Sequence, residues 1–331
     1  MDATERETKL NAVTALLQQA IKFAEKGDWQ SAGKHIEEAE AAFAVIAPGD
    51  GAPEPRYLGL AAALAEGRGQ LFLRFGKTPD AVPFLEQGIA LRRAEAAAGG
   101  TPPPLSIAIA YVNLTGALHR MGQPEKALEY NVLARAELTP LEVPPARIFL
   151  AAAYEAGANL LSSLDRHDES KALFAQGLAI AEELAAQKMP GVAQLRTEIL
   201  VAAARASAKA GQLGDAIAHC SRAADLSWER YEQEPQSARE AISHFVAAQM
   251  NLLAFAELAG RYAEAEDALF KVVRLIGPEP RVIERGLKFY ETLKTIDDAR
   301  LEAGNLPREE VEESHIQLLQ IAAQARPAAS A

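Results

Sequence analysis

Small and apolar residues recur at helical spacing through residues 108–138, AIAYVNLTGALHRMGQPEKALEYNVLARAEL. A Met-Gly-Gln-Pro turn separates two such patterns. A period of 3.6 residues on both sides of a short turn predicts an antiparallel helix pair.

The same plan repeats along nearly the whole chain. Short turns fall at Gly27-Asp28, Gly76-Lys77, Gly122-Gln123, Asp165-Arg166, Gly211-Gln212, Gly260-Arg261 and Gly304-Asn305. Glycine suits the left-handed residue that ends a helix, and Pro79, Pro124 and Pro307 suit the first turn of the next one. Longer linkers carry prolines instead: Pro48 to Pro55, Pro102 to Pro104, Pro140 to Pro145, Pro190, Pro235, and Pro278 with Pro280. Proline cannot continue a helix, so these mark boundaries between hairpins.

Successive short turns are 49, 46, 43, 46, 49 and 44 residues apart. A period that steady predicts an all-α solenoid. About seven antiparallel hairpins are expected, near 6–46, 56–98, 105–138, 145–187, 191–233, 236–276 and 280–325. First helices are expected near 6–26, 56–75, 105–121, 145–164, 191–210, 236–259 and 280–303, all in one helical repeat domain over residues 1–325. The small, polar stretch 326–331 reads as a disordered tail. One hairpin cannot bury its apolar face alone, whereas a neighbour on each side can.

Individual hairpins resemble one family. Gly122-Gln-Pro-Glu-Lys-Ala127, with Leu128, Tyr130 and Ala134 after it and Tyr111, Asn113 and Leu114 before it, looks like a tetratricopeptide repeat. Gly260-Arg-Tyr-Ala-Glu-Ala265, with Leu269 after it and Asn251-Leu252 before it, is similar. Gly27-Asp-Trp-Gln-Ser-Ala32 with Ala39, and Gly211-Gln-Leu-Gly-Asp-Ala216 with Ala223, carry the same turn and small residues. Asp165-Arg-His-Asp-Glu-Ser170, with Phe174 and Gly177, is a looser copy in which Asp165 replaces the turn glycine. The second hairpin keeps Ala81 and Gly88 but has Gly67, Arg68 and Gly69 where small and apolar packing residues are expected. The seventh has Glu309 where alanine is usual, which suits a capping hairpin.

This resemblance, over residues 6–325, implies a right-handed superhelix whose units exceed the family's usual length of about 34 residues. Similar extended repeats belong to adaptor chains and to the sensor portions of bacterial regulators. In that family the first helices line a concave face that holds peptides or helices. By the register of Gly122, the resemblance places Arg74, Asn113, His119, Arg120, Glu155, Asn159, Arg205, Lys209 and Asn251 on that face. Asparagine amides can hydrogen-bond a peptide backbone, and arginine or lysine can hold a carboxylate. The Lys and Asn set that clamps acidic C-terminal peptides in some members is not reproduced, so that partner is not implied.

Composition narrows the function classes. The 331-residue chain is 49% hydrophobic but only 6% aromatic, which favours closely packed helices over sheet. Its net charge of −11 argues against nucleic acid or an anionic membrane as partner. No apolar run approaches the roughly 18 residues that span a bilayer. The charged N-terminus, MDATERETKL, lacks a signal peptide's apolar core, so a cytoplasmic protein is expected.

Chemistry-bearing motifs are missing. The six histidines, His35, His119, His167, His219, His244 and His315, are scattered without metal-ligand spacing. Cys220 is the only cysteine and sits beside Ala216 and Ala223 as a packing thiol. No serine lies in GxSxG, no glycine loop has the spacing of a phosphate cradle, and the paired glutamates read as solvated helix faces.

No cofactor, metal or catalytic residue is therefore predicted. The expected function is a non-enzymatic protein–protein interaction module, an adaptor, scaffold or assembly factor holding a peptide or protein segment in the concave groove. A ligand- or peptide-sensing regulatory module and a scaffold self-assembling through its end hairpins are the alternatives.

Overall fold

The computed structural model describes residues 2–46 and 53–325; the tail expected at 326–331 lies outside the described residues. The described residues contain helices and turns and no strand. Two compact units meet in sequence at Leu164 and Asp165, inside the expected fourth hairpin.

The first unit contains α1 (Ala3–Glu25), α2 (Trp29–Ala44), α3 (Pro55–Arg74), α4 (Thr78–Ala97), α5 (Ser106–Arg120), α6 (Pro124–Leu138) and α7 (Pro144–Ser163). The second contains α8 (His167–Ala186), α9 (Val192–Lys209), α10 (Leu213–Gln233), α11 (Ala238–Leu258), α12 (Tyr262–Ile276), α13 (Pro280–Lys294), α14 (Asp298–Ala303) and α15 (Arg308–Ala325).

The turns share one geometry. Gly122 takes φ 70°, and Gln123 N–H donates back to the Leu118 carbonyl at 2.9 Å. This bond across six residues is the Schellman closure, which satisfies a carbonyl that the ending helix leaves open. The same closure runs from Asp28 to Phe23, Lys77 to Phe72, Gln212 to Ser207 and Arg261 to Ala256. Asp165 holds the left-handed position at φ 57° without being glycine.

The seventh hairpin departs from expectation twice. Residues 280–303 do not form one helix: α13 stops at Lys294 and α14 starts after Asp297, whose carboxylate caps it by accepting from Arg300 N–H at 3.0 Å. An aspartate cap provides a helix start that competes with continuation. The left-handed residue of the following turn is Asn305, at φ 57°, and not Gly304. Gly304 instead provides close approach, because an added Cβ would lie 2.6 Å from the Gly260 carbonyl oxygen.

Glycine and alanine set the helix crossings elsewhere too. Gly67 and Gly69 are contact points, and a Cβ on each would meet Ile36 at 3.0 Å and Leu85 at 2.8 Å. Between them in sequence, Arg68 pairs with Glu40 on α2. Deeper in the α3–α4 pair, Arg92 donates through Nε and Nη2 to Glu66 at 2.9 and 2.8 Å, and through Nη1 to Glu95 at 3.0 Å. Arg92 and Glu95 are buried, so this triad replaces water with charge-assisted bonds inside the unit.

In the second unit one large apolar core runs from α9 to α15 and includes Leu253, Leu269, Phe289, Tyr290, Leu293 and Leu318. The helix α11 crosses it, packing against α9, α10 and α12. Contrary to the expectation that no run approaches spanning length, α11 is long and apolar enough to cross a membrane. Its buried face of Ala241, Phe245, Ala248, Leu252, Leu253 and Ala256 is used by the neighbouring helices.

Candidate functional site

Two kinds of surface arise from this stacking. The first helices form one row in each unit. In the first unit α1 packs on α3, α3 on α5 and α5 on α7; in the second, α9 packs on α11. The nine residues placed by sequence register all sit on helices of these rows.

Their surroundings differ. Arg74 is exposed at the end of α3, with its guanidinium 4.5 Å from the centre of the Trp29 ring. His119 and Arg120 are exposed in the last turn of α5, and Asn113 is half-buried two turns earlier. On α7, Asn159 Nδ2 donates to Glu155 Oε1 at 3.4 Å, and both side chains are half-buried. Arg205 and Lys209 are exposed on α9, and Lys209 pairs with Asp165 at 2.8 Å. Asn251 is half-buried on α11. The neighbouring helices α5 and α7 carry Asn113, His119, Arg120, Glu155 and Asn159, while α9 and α11 carry the last three residues.

The second surface was not anticipated. Where α10 and α12 flank α11, they leave an open cleft of about 690 Å³. Its apolar lining is Trp228, Phe245 and Leu275. The Trp228 ring stacks 5.5 Å from Phe245 and 5.2 Å from Tyr231, yet remains 37% exposed. Gln249 also lines the cleft at 5% exposure, and its buried Oε1 has no hydrogen-bond partner. Asp225 and Glu229 stand on the α10 side, Lys271 and Arg274 on the α12 side.

A narrower cleft of about 160 Å³ lies among α8, α9 and α10. Phe174, Leu178, Ile199 and Ala203 line it together with His167, Lys171 and His219. Lys171 is held by Asp215 at 2.7 Å. Burial pushes the His219 imidazole below its usual range, so it is neutral at physiological pH.

Burial pushes the Cys220 thiol up to about 12, which leaves it protonated and inert. Among the described residues no three His, Cys, Asp or Glu side chains are arranged to hold a metal ion.

Three solved structures resemble the chain. The apo form of RapI matches with a TM-score of 0.55 at 11% identity, over 95% of this chain and 99% of that one. BtubC (BKLC) from P. vanneervenii matches with a TM-score of 0.54 at 14% identity, over 83% and 91%. Aspartyl phosphate phosphatase F from Bacillus subtilis matches with a TM-score of 0.52 at 13% identity, over 97% and 94%. The chain has the TPR-like helical-repeat fold. At these identities the likeness is one of fold.

Within this TPR-like chain, residues 209–322 match a family of unknown function, DUF6483. That segment takes in the whole Trp228–Gln249 cleft and most of the second unit. Comparison with curated proteins gives no match. The nine residues named from the repeat register lie on first helices, whereas the cleft is lined by α10, α11 and α12 together. Gln249 occupies the spacing of a core residue, four after Phe245 and three before Leu252, so its sequence position carries no signal of exposure to a cleft.

Proposed function

We propose that this chain is a non-enzymatic protein–protein interaction module that binds a peptide or protein segment along its rows of first helices. The observation that carries this reading is the side-by-side packing of α5 and α7. It gathers the half-buried amides of Asn113 and Asn159, the Glu155 carboxylate and the exposed His119 and Arg120 on adjacent helices. Amides present donor and acceptor together and match a peptide backbone, while the Arg120 guanidinium suits an acidic side chain. In the second unit Arg205, Lys209 and Asn251 extend the same chemistry on α9 and α11.

The name aspartyl phosphate phosphatase F assigns an activity to that relative in fold. At 13% identity no residue set of this chain is proposed for it.

The test compares proteins that copurify with the intact chain and with two variants, Asn113→Ala/Asn159→Ala and Arg205→Glu. All three should melt alike, since the altered side chains are exposed or half-buried. Loss of the same partner from a variant is the expected outcome. Identical partner sets from all three would overturn the assignment of the first-helix rows.

A further inference from the structure

We infer that the cleft between α10 and α12 is a second, separate binding site, built for a short peptide segment with an apolar centre, a cation on one side and an anion on the other. It does not depend on the first-helix rows and goes beyond them.

Three observations carry it. The first is Gln249. Its carboxamide is nearly fully buried in the cleft wall, and its Oε1 accepts no hydrogen bond from the protein. Buried polar atoms are nearly always satisfied, so an orphan on a residue that lines a cleft points to a missing partner. The terminal torsion of glutamine is soft, so the amide can turn either end toward the cleft. A peptide group offers the complementary N–H and C=O.

The second is the apolar floor. Trp228 keeps 37% of its surface exposed although it packs on Phe245 and Tyr231. Its indole Nε1–H is used within its own helix, donating to Glu232 at 2.8 Å. The ring face is therefore available as a platform without an unmet polar demand. Phe245 and Leu275 complete the apolar lining beside it.

The third is charge. Asp225 and Glu229 lie on the α10 rim, whereas Lys271 and Arg274 lie on the α12 rim. Lys271 pairs with Asp267 at 2.7 Å on the same helix, and Arg274 is only loosely associated with it at 3.9 Å. Opposite signs across an apolar floor select a ligand of matching polarity and disfavour a uniformly charged one. A volume of about 690 Å³ falls within the range of about 300–1,000 Å³ in which ligand pockets lie.

The experiment uses the full chain carrying Trp29→Phe, which leaves Trp228 as the sole indole. End-blocked pentapeptides Lys-X-X-X-Glu, with X drawn from Leu, Phe, Ala and Ser, are titrated while Trp228 emission is followed. Members rich in Leu and Phe should shift the emission saturably. Replacing their Lys and Glu by Gln should weaken binding about tenfold. Gln249→Leu and Arg274→Glu should each do the same, with thermal melts confirming the fold. Arg205→Glu, which tests the first-helix row, should leave the affinity unchanged. Absence of a saturable shift across the set, or equal affinity for the neutral analogues or in Gln249→Leu, would overturn the site. A loss of affinity in Arg205→Glu would equally overturn its separateness.

Discussion

Gly304 lies against the ring of Tyr262 so closely that an added Cβ would sit 2.3 Å from Tyr262 Cδ2. The contact ties two turns together: Ala263 N–H, just after that tyrosine, donates to the Gly304 carbonyl at 3.1 Å. Here glycine is required for space between turns and not for backbone conformation.

Gly304→Ala should therefore overpack this junction and cost about 1–3 kcal/mol. Gly214→Ala is the natural contrast, because nothing lies within 4 Å of a Cβ at that helical position. It should be neutral or stabilise by about 0.4–1 kcal/mol. Urea midpoints of the two variants decide the matter; equal shifts would mean that the tight contact relaxes freely.

Gly304 also shows how far the sequence can be read. The punctuation of glycine turns and proline linkers located nearly every helix to within one or two residues, because helix stops are local chemistry. It failed where two local signals compete. Residues 294–298 contain an aspartate cap, Asp297, inside an apparently continuous helical pattern, and the cap wins. At Gly304-Asn305 both residues tolerate the left-handed region, and packing against Tyr262 decides which one takes it. Gly67 and Gly69 departed from the repeat pattern for a related reason: α2 and α4 come too near for a side chain, which no local rule reveals. The first-helix residues could be assigned to helices by register alone. The pairing of Lys209 with Asp165, the stacking of Arg74 on Trp29 and the orphaned Gln249 amide depend on neighbouring helices that sequence spacing does not fix.

The Arg92 triad provides a second prediction. Its guanidinium holds two carboxylates, Glu66 and Glu95, inside the α3–α4 pair. Arg92→Met would keep most of the volume but leave the buried Glu95 and the half-buried Glu66 carboxylates without a counter-charge. Removing one partner of a buried ion cluster costs about 3–5 kcal/mol, far more than an exposed pair is worth. Adding Glu66→Gln and Glu95→Gln to Arg92→Met should recover most of that loss. A single variant with unchanged stability would mean that water or rearrangement reaches the site.

Cys220 offers a sensor of unfolding. It is fully buried in the core of the second unit, and burial lifts its thiol to about 12. A thiol-reactive dye should leave the native chain unlabelled near neutral pH and label it as denaturant unfolds the second unit. Reaction requires the thiolate and access to it, and folding withholds both. Prompt labelling of the native chain would show that this part of the core opens on its own.

The pH dependence of stability follows from His219. Burial is the main cause of its lowered pKa; Lys171 and Arg222 act in the same direction, and Asp215 opposes them. His315 is also lowered, first by burial and then by Lys294, with Glu291 opposing. In the unfolded chain each imidazole returns to about 6.5. Below that pH the unfolded state binds protons that the folded state refuses, so stability increases with pH through this window. The contribution is complete above the unfolded value and is lost as pH falls from 6.5 through the lowered folded value. Urea midpoints should therefore decline from neutral pH toward about pH 5, the range in which imidazoles titrate. The carboxylates lowered by surface partners, Asp165 with Lys209 and Asp215 with Lys171, start to lose their contribution only at more acidic pH. His219→Gln/His315→Gln should flatten the decline while leaving the neutral-pH midpoint of the folded chain near that of the wild type. A decline of unchanged slope in the double variant would assign it to other groups.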